Sequence, residues 1–185
     1  MRIIVGITGA TGTIYGVRLL EALKGIDDVK VYLVMSKWAE KNLEIETKYT
    51  LEYVKGLADF NCEYSDLAAG ISSGSFITEG MVILPCSMKT LSSIANGFDD
   101  NLISRAAGVM IKESRKLVLC PRETPLSPIH LENMLKLSQI GVKMMPPMPA
   151  FYNKPQTIDD IINHHIMKIL DQFGIPYDKV KRWKA

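Results

Sequence analysis

The sequence has few of the residues that disulfide-bonded and metal-dependent proteins need. Its three cysteines, Cys62, Cys86 and Cys120, are an odd number and form no Cys-x-x-Cys pair. This usage argues against a disulfide framework and predicts ordinary buried thiols in a reducing cytoplasm. There are also only three histidines. Because no cysteine or histidine stands at zinc-ligand spacing, we expect no metal site.

The sequence also lacks a strong charge of one sign and any long hydrophobic run. Lys and Arg total 22 against 20 for Asp and Glu, which leaves a formal net charge of +2. That is too little for nucleic-acid binding unless the cations cluster, so we expect no nucleic-acid partner. No apolar run approaches the roughly 18 to 20 residues of a membrane span, and we expect neither membrane anchor nor signal peptide.

What the sequence does contain is a regular alternation of short β-branched runs with helical patterns. Strands are predicted at residues 2–8, 29–35, 60–64, 81–85, 116–120 and 142–145. Since helical patterns separate them, the strands should be parallel. The chain of 185 residues is about one domain on a scale of ~150 residues per domain. We predict a single-domain doubly wound α/β fold of Rossmann or flavodoxin-like type.

The predicted domain covers residues 1–174 and is followed by a tail at residues 175–185. The tail carries Tyr177 and Trp183 among lysines, which is unusually aromatic for a free end. We expect it to pack on a neighbouring subunit, and packing on its own chain is the alternative.

In a doubly wound sheet, ligands bind in the loops at the carboxyl ends of the strands. The loop after the first strand, residues 6–12, reads Gly-Ile-Thr-Gly-Ala-Thr-Gly and opens a helix, where backbone amides can hold a phosphate. The loop lacks the Gly-x-Gly-x-x-Gly spacing, and no acidic residue ends the second strand, which favours a mononucleotide over NAD. Alternatively, these glycines only allow close packing.

Two further loops carry polar and charged side chains. Ser87, Lys89 and Thr90 follow the fourth strand, where they suit a phosphate or the edge of an isoalloxazine; alternatively, Ser87 is only a helix cap and Lys89 a solvated charge. Arg122 and Glu123 follow the fifth strand. The arginine suits a phosphate and the carboxylate suits proton transfer, although a salt bridge to other loops is also possible.

Cations on predicted helices suggest a second anion site. Arg105 and Lys112 stand seven residues apart with Gly108 between them, so both side chains project from one helix face and can reach the same anion. Solvated surface charges are the alternative. Lys168 lies on the last predicted helix, and Tyr152 follows a proline-rich loop. Taken alone, each of them is interpreted as a surface or packing residue.

Several of these segments together resemble the UbiX-type flavin prenyltransferases. The resemblance rests on residues 9–12 (Gly-Ala-Thr-Gly), Ser36, residues 85–90 (Pro-Cys-Ser-Met-Lys-Thr), residues 100–102, 122–126, 130–134 and 149–152. It extends to the phenolic acid decarboxylase branch of that family through residues 36–38 (Ser-Lys-Trp), residues 170–174 and the Arg182-Trp183 ending. The motifs occur in the right order and cover nearly the whole chain.

The resemblance implies a metal-independent enzyme with a flavodoxin-like Rossmann fold. It implies transfer of a dimethylallyl group from dimethylallyl phosphate to N5 and C6 of reduced FMN, a partner decarboxylase that receives the prenyl-FMN, and a homo-oligomer, expected to be a dodecamer. By position, FMN would be held by Gly9, Ala10, Thr11, Ser36, Ser87, Met88, Lys89, Thr90 and Arg122. The prenyl phosphate would be surrounded by Arg105, Lys112, Glu123, Tyr152 and Lys168.

The resemblance also assigns catalytic and aromatic positions. Glu46 and Glu123 are expected to act as acid and base, assisted by Lys112 and Thr11, while Phe76 and Trp183 are expected to form aromatic walls, Trp183 from a neighbouring subunit. This agrees with the chemistry, because an allylic phosphate ionises to a cation. Such ionisation needs fixed positive charge on the leaving group and aromatic faces for the cation.

Two positions depart from the family pattern. Thr11 stands where many relatives have serine, and its extra methyl group is expected to tighten the pocket. Lys168 stands where many have arginine, so that a point charge replaces a bidentate contact. We expect differences in substrate affinity or in the choice between monophosphate and diphosphate.

Two alternative functions use the same fold. One is a flavin-dependent cysteine-type decarboxylase, for which a histidine in the first half of the chain is expected, whereas the first histidine here is His130. The other is an FMN-binding subunit without catalytic activity. Arg105, Lys112 and Lys168 argue against it, because a carrier needs one phosphate site rather than two.

Overall fold

Six short aliphatic runs form one parallel sheet in the computed structural model, which describes residues 1–183. The strands are β1 (Arg2–Ile7), β2 (Lys30–Met35), β3 (Phe60–Cys62), β4 (Gly80–Cys86), β5 (Lys116–Pro121) and β6 (Lys143–Met144). Their order is β3-β2-β1-β4-β5-β6. The order reverses between β1 and β4, which is the switch point where doubly wound sheets bind ligands. The predicted fold class is confirmed.

Seven α-helices connect and flank the strands within residues 1–183. They are α1 (Thr13–Lys24), α2 (Lys37–Glu46), α3 (Leu51–Gly56), α4 (Met88–Ala95), α5 (Leu102–Lys112), α6 (Pro128–Gln139) and α7 (Ile158–Asp171). All but α1 begin with a side chain that accepts a backbone amide bond: Ser36, Thr50, Ser87, Asn101, Ser127 and Thr157. The cap position of α1 is Gly12, whose φ of 100° lies in the left-handed region that favours glycine.

The centre of the sheet is closed on both faces. All seven residues of β4 are buried, as its unalternating apolar sequence predicts. Helix α5 packs close to β1, since a Cβ atom at Gly6 would lie 3.4 Å from a methyl carbon of Ile103. Burial of each large aliphatic side chain contributes roughly 1.5–3 kcal/mol, so these central strands give the loops at their ends a rigid support.

Helix α5 ends in a sharp turn. Its last residue is Lys112, and Ser114 adopts a left-handed φ of 53°. Arg115 turns instead to the preceding loop, where its guanidinium donates to the carbonyl oxygens of Gly74 and Phe76. These two contacts explain why the chain leaves the helix there.

The chain divides into two compact units. The first, Met1–Pro146, contains the sheet and helices α1 to α6, and the second begins at Pro147 and contains α7 and residues 175–183 of the tail. In the second unit, Thr157 and Asp160 form a capping box that starts α7, as predicted. The domain boundary after residue 174 and the packing of the tail on a neighbouring subunit stay predictions. None of the helices in residues 1–183 has the length and apolar character of a membrane span.

Candidate functional site

A buried threonine joins the loops after β1 and β4 at the switch point of the sheet. The hydroxyl of Thr8 donates to the carbonyl oxygen of Pro85 over 2.8 Å and accepts the amide of Ser87, also over 2.8 Å. Only 2% of Thr8 is exposed. The sequence interpretation did not single out Thr8. The sequence signal that could have identified Thr8 is a hydroxyl residue directly after an apolar strand.

The glycine-rich loop after β1 packs tightly against α2. A Cβ atom at Gly9 would lie 2.5 Å from the Cβ atom of Trp38, a distance that real Cβ atoms essentially never show. Close packing, which the alternative interpretation of this loop expected, is therefore present at Gly9. It is compatible with ligand binding, because a loop without side chains also lets a ligand approach the backbone.

A carboxylate already occupies the start of α1. Oε2 of Glu46 accepts the amides of Gly12 and Thr13 over 2.9 and 3.0 Å. A negative charge is favourable at a helix N-terminus, where backbone amides are otherwise unpaired. Two of the amides that the sequence suggested for a phosphate are thus bound to Glu46, and this contact brings Glu46 into the glycine-rich loop.

The serines predicted to bind flavin are helix caps. The hydroxyl oxygen of Ser36 accepts the amide of Ala39 over 3.1 Å, and that of Ser87 accepts the amide of Thr90 over 3.3 Å. The Ser87 and Thr90 oxygens also lie 3.1 Å apart. A cap uses one lone pair of the oxygen and leaves the hydroxyl group able to donate to an anion. The cap interpretation of Ser87 is confirmed, and it leaves a binding role open.

The end of β5 places an arginine and a glutamate beside the same loops. The amide of Arg122 donates to the carbonyl oxygen of Cys86 over 3.1 Å, which fixes Arg122 next to the start of α4. Glu123 is exposed, and its carboxylate accepts the amide of Thr124 over 2.9 Å. Both residues therefore lie at the carboxyl edge of the sheet.

All nine positions assigned to FMN by resemblance lie at this edge. They are carried by the loops and first helical turns after β1, β2, β4 and β5: Gly9, Ala10, Thr11, Ser36, Ser87, Met88, Lys89, Thr90 and Arg122. The set combines loop amides, hydroxyl groups and two cations. These groups suit a flavin mononucleotide, whose phosphate needs donors and whose ring needs backbone access.

Lys112 lies at the opposite edge of the sheet. It ends α5 four residues before Lys116, which pairs with Gly80 where β4 and β5 begin. Lys112 contacts Glu113, and a Cβ atom at Gly74 would lie 2.7 Å from its Nζ atom. Since the six residues of β5 extend about 17 Å, one protomer does not bring Lys112 to Glu123.

Arg105 and Lys112 share a groove, as predicted. The groove lies between α4, α5 and α6, has a volume of about 320 Å³, and also contains Gly108 and Lys136. The Arg105 guanidinium donates to the carbonyl oxygen of Ser72 over 3.1 Å and lies 3.5 Å from the Asp99 carboxylate.

Phe76 lies near the start of β1 rather than near the predicted flavin residues. Its ring makes an edge contact with Tyr32 at 5.2 Å between centroids, and the Arg2 guanidinium lies 4.9 Å from its centroid. Phe76 is thus an aromatic surface next to the amino edge of the sheet. The structure does not bring it together with Ser87 or Arg122 within one protomer.

In the second unit, Tyr152 is held by two aromatic neighbours. Its hydroxyl lies 2.5 Å from Nε2 of His164, and its ring makes an edge contact with Trp183 at 5.5 Å between centroids. The sequence interpretation did not assign a role to His164. Trp183 contacts Tyr152 of its own chain, so its contribution to a neighbouring subunit stays a prediction.

The same unit contains an ion pair and an exposed lysine. Arg182 binds Asp171 through two contacts of 3.0 and 2.6 Å. The hydrogen bond from Arg182 lowers the pKa of the Asp171 carboxyl. Lys168 is exposed on α7.

The cysteine side chains are free thiols. Burial raises the pKa of Cys86 to about 12 and that of Cys120 well above its ordinary value, so both are unreactive. Within residues 1–183, no group of three or more histidine, cysteine, aspartate or glutamate side chains is placed to hold a metal ion.

Comparisons with known proteins agree on one family. The Flavoprotein family model matches residues 1–170. The chain is 60% identical to the flavin prenyltransferase LpdB of Lactiplantibacillus plantarum, over 100% of this chain and 98% of that protein.

Two known crystal structures are similar over their full length. A dodecameric FMN-dependent UbiX-like decarboxylase from Escherichia coli O157:H7 has a TM-score of 0.98 and 57% identity, with 100% of both chains covered. AnUbiX (PadA1) in complex with FMN and dimethylallyl pyrophosphate has a TM-score of 0.97 and 49% identity, with 100% of this chain and 97% of that chain covered.

Proposed function

This chain belongs to the flavoprotein family and, within it, to the UbiX-like flavin prenyltransferases, and we propose that it transfers a dimethylallyl group from dimethylallyl phosphate to reduced FMN. In this reaction the bond between the allylic carbon and the phosphate oxygen breaks and phosphate leaves, while N5 of the flavin bonds to that carbon in place of its own proton. The prenyl double bond then takes up a proton at one carbon, and C6 bonds to the other carbon in place of its own proton. One observation supports the proposal most directly. The loops after β1, β2, β4 and β5 lie together at the switch point of the sheet, where Thr8 hydrogen-bonds the β1 loop to the β4 loop.

The FMN phosphate and ring are assigned to the carboxyl edge of the sheet. The Ser36 and Ser87 hydroxyl groups, the remaining loop amides and the Arg122 guanidinium supply donors for the phosphate. Gly9 provides close access to the backbone. Met88, Lys89 and Thr90 lie in the first turn of α4, which supports contact with the flavin along the same edge.

Glu46 and Glu123 are assigned to proton transfer at this edge. The contact of Glu46 with the Gly12 and Thr13 amides supports its role, because it fixes the carboxylate in the flavin-binding loop. Glu123 follows Arg122 directly and lies on the same side of the sheet. The hydroxyl of Thr11, in the loop after β1, is expected to assist.

The leaving phosphate needs fixed positive charge. We assign Tyr152 and Lys168 to this phosphate together with Arg105 and Lys112. Because β5, which extends about 17 Å, separates Lys112 from Glu123, Lys112 and Arg105, which lines the same groove, would act on the substrate of a neighbouring copy of the chain. The same holds for Phe76 as an aromatic wall, and Trp183 completes the proposed walls. The dodecameric relative supports assembly of this chain into a homo-oligomer, which we propose is also a dodecamer.

The test is anaerobic incubation of the purified protein with reduced FMN and dimethylallyl phosphate, followed by mass spectrometry of the flavin. We expect FMN to gain one dimethylallyl group. Glu123→Gln should bind FMN and make no prenylated product, because an amide cannot transfer a proton. Glu132→Gln, the same change at an exposed position on α6, is the matched control and should be active.

Unmodified FMN recovered from wild-type protein that binds it would favour the alternative of an FMN-binding subunit without catalytic activity. Normal product formation by Glu123→Gln would remove Glu123 from catalysis.

We also propose that prenyl-FMN passes to a partner decarboxylase that acts on phenolic or other aromatic acids. A cytoplasmic location is proposed as well, and the three free thiols support it.

A further inference from the structure

Tyr152 makes its shortest polar contact with a residue that has no assigned role. The phenol oxygen and Nε2 of His164 are 2.5 Å apart, and the two rings meet edge to face with centroids 5.3 Å apart. His164 is 7% exposed, whereas Tyr152 is 46% exposed. A buried imidazole is therefore attached to an accessible phenol, and it limits the orientations that the phenol can adopt.

His164 is suited to this contact in its neutral form. Burial lowers its pKa, and the nearby Lys168 ammonium lowers it further, while Asp171 acts in the opposite direction. A neutral imidazole carries one N–H group, and either tautomer can bind the phenol. With the proton on Nε2, His164 donates to the phenol oxygen, and the phenol hydrogen is left for another acceptor.

The orientation of the Tyr152 hydroxyl matters because the neighbouring cation is a lysine, Lys168. It stands one turn after His164 on α7 and is exposed. An ammonium group is a point charge on a flexible stem, so it attracts a phosphate without fixing its orientation. A phenol held by a buried partner supplies the directional hydrogen bond that the lysine lacks.

We propose that His164 is a positioning residue that orients the Tyr152 hydroxyl toward a phosphate oxygen of the prenyl donor. This role rests on the proposed function, in which Tyr152 binds that phosphate. His164 acts through Tyr152 and makes no contact with the flavin or the reacting carbon atoms. Its loss therefore weakens binding of the prenyl donor and leaves FMN binding unchanged.

The test is a double-mutant cycle on the whole protein with Tyr152→Phe, His164→Phe and the double variant. Initial rates of prenyl-FMN formation give KM for dimethylallyl phosphate and kcat, and flavin fluorescence gives the FMN affinity. His164→Phe should raise KM roughly fivefold to tenfold, as expected for one lost hydrogen bond to a charged ligand, with a smaller change in kcat. In the Tyr152→Phe background the same substitution should change KM less than about twofold.

Conservative and control variants separate positioning from a general loss of structure. His164→Gln places an amide near the Nε2 position and should restore most of the wild-type KM. In His164→Asn the side chain is too short to reach the phenol, so this variant should behave like His164→Phe. It replaces His164→Phe in the cycle if the phenylalanine variant does not fold. Tyr177→Phe removes a hydroxyl that binds Asn163 over 3.0 Å in the same unit, and it should leave KM unchanged.

The outcomes distinguish this inference from the proposed function. An equal effect of His164→Phe in both backgrounds, or an unchanged KM, would show that His164 does not act through Tyr152 while wild-type activity stands. An unchanged KM in Tyr152→Phe would also overturn the inference, because its target would be absent from the site. Wild-type protein that makes no prenyl-FMN would remove the proposed function itself.

Discussion

Thr8 and Ser87 are 79 residues apart in sequence, yet the amide of Ser87 donates to the hydroxyl of Thr8 over 2.8 Å. The same hydroxyl donates to the carbonyl oxygen of Pro85. One buried side chain thus fixes the distance between the loops that follow β1 and β4. The two loops behave as one surface for the ligand, because neither can move without breaking these bonds.

Substitution of Thr8 tests the hydrogen bonds that connect the two loops. Thr8→Val keeps the shape and leaves the Ser87 amide without its acceptor, so we expect the free energy of unfolding to fall by about 2 kcal/mol and FMN to bind less tightly. Thr8→Ser keeps the hydroxyl and should lose less than about 1 kcal/mol. Urea denaturation measures both. Equal stability of the two variants would contradict the role of the hydroxyl.

Gly9 offers a steric test of the glycine-rich loop. Gly9→Ala would place a Cβ atom 2.5 Å from that of Trp38, so the loop must shift, at a cost of about 1–3 kcal/mol. We expect FMN affinity, measured by fluorescence titration, to fall at least about tenfold, since the loop backbone lies in the proposed site. Gly25→Ala is the control. It has no atom within 4 Å of the new Cβ and should bind FMN normally.

Glu46 has a structural and a proposed chemical role, and two substitutions separate them. Glu46→Ala removes the acceptor of the Gly12 and Thr13 amides and should cost about 1–2 kcal/mol of stability. Glu46→Gln keeps an oxygen acceptor, so its stability should stay within about 1 kcal/mol of wild type. Its prenyl transfer should nevertheless fall about a hundredfold, because proton transfer is lost.

The control for Glu46 lies on the same helix. Glu44 is exposed and pairs with Lys41 on the surface, and Glu44→Gln should change neither stability nor transfer. Full activity of Glu46→Gln in the mass-spectrometric assay would restrict Glu46 to its helix-capping role.

The buried imidazole of His165 should make the free energy of unfolding depend on pH. Burial lowers its pKa to about 4, whereas an unfolded histidine titrates near 6.5. Between these values the unfolded chain binds more protons than the folded one. Stability should therefore be full above about pH 7 and should fall by about 3 kcal/mol as the pH decreases from about 6.5 to about 4.

The neighbouring groups do not reverse this trend. His164, whose pKa burial also lowers, acts in the same direction, while hydrogen bonds lower the pKa values of Asp160 and Asp171, which titrate at still lower pH. Urea midpoints measured across the range should decrease less in His165→Gln than in wild type. The same decrease in both proteins would assign the effect to other groups.

Complementation tests the proposed sharing of residues between protomers. Lys112→Ala and Glu123→Gln should each be inactive alone, because each removes one part of every site. Co-expression at equal amounts should restore about a quarter of wild-type activity, since each mixed site then has an even chance of each wild-type residue. A mixture as inactive as its parents would mean that both residues serve one site within a single protomer.

The order of elements could be predicted because it depends on local patterns. The apolar run of β4 and the capping positions of Ser36 and Ser87 follow from adjacent residues. The contact of Thr8 with Ser87 and that of Glu46 with Gly12 could not be predicted this way. They depend on which strands become neighbours, and the sequence pattern alone does not order the strands.

The separation of Lys112 from Glu123 had a signal in the sequence. Lys112 precedes the predicted fifth strand and Glu123 follows it, and the two ends of one strand lie at opposite edges of a sheet. The resemblance grouped both residues around one phosphate without saying whether they come from the same chain, and the length of the strand bears on that question. The contact between Tyr152 and His164 had no such signal, because it joins a loop residue to a buried helix position.

The length of β5 has a kinetic consequence. If the groups that bind the leaving phosphate and those that transfer protons come from different copies, an isolated protomer carries both sets of groups but no complete site. Dilution that separates the copies should then abolish turnover before any chain unfolds. The rate per milligram of enzyme would depend on how concentrated the enzyme is.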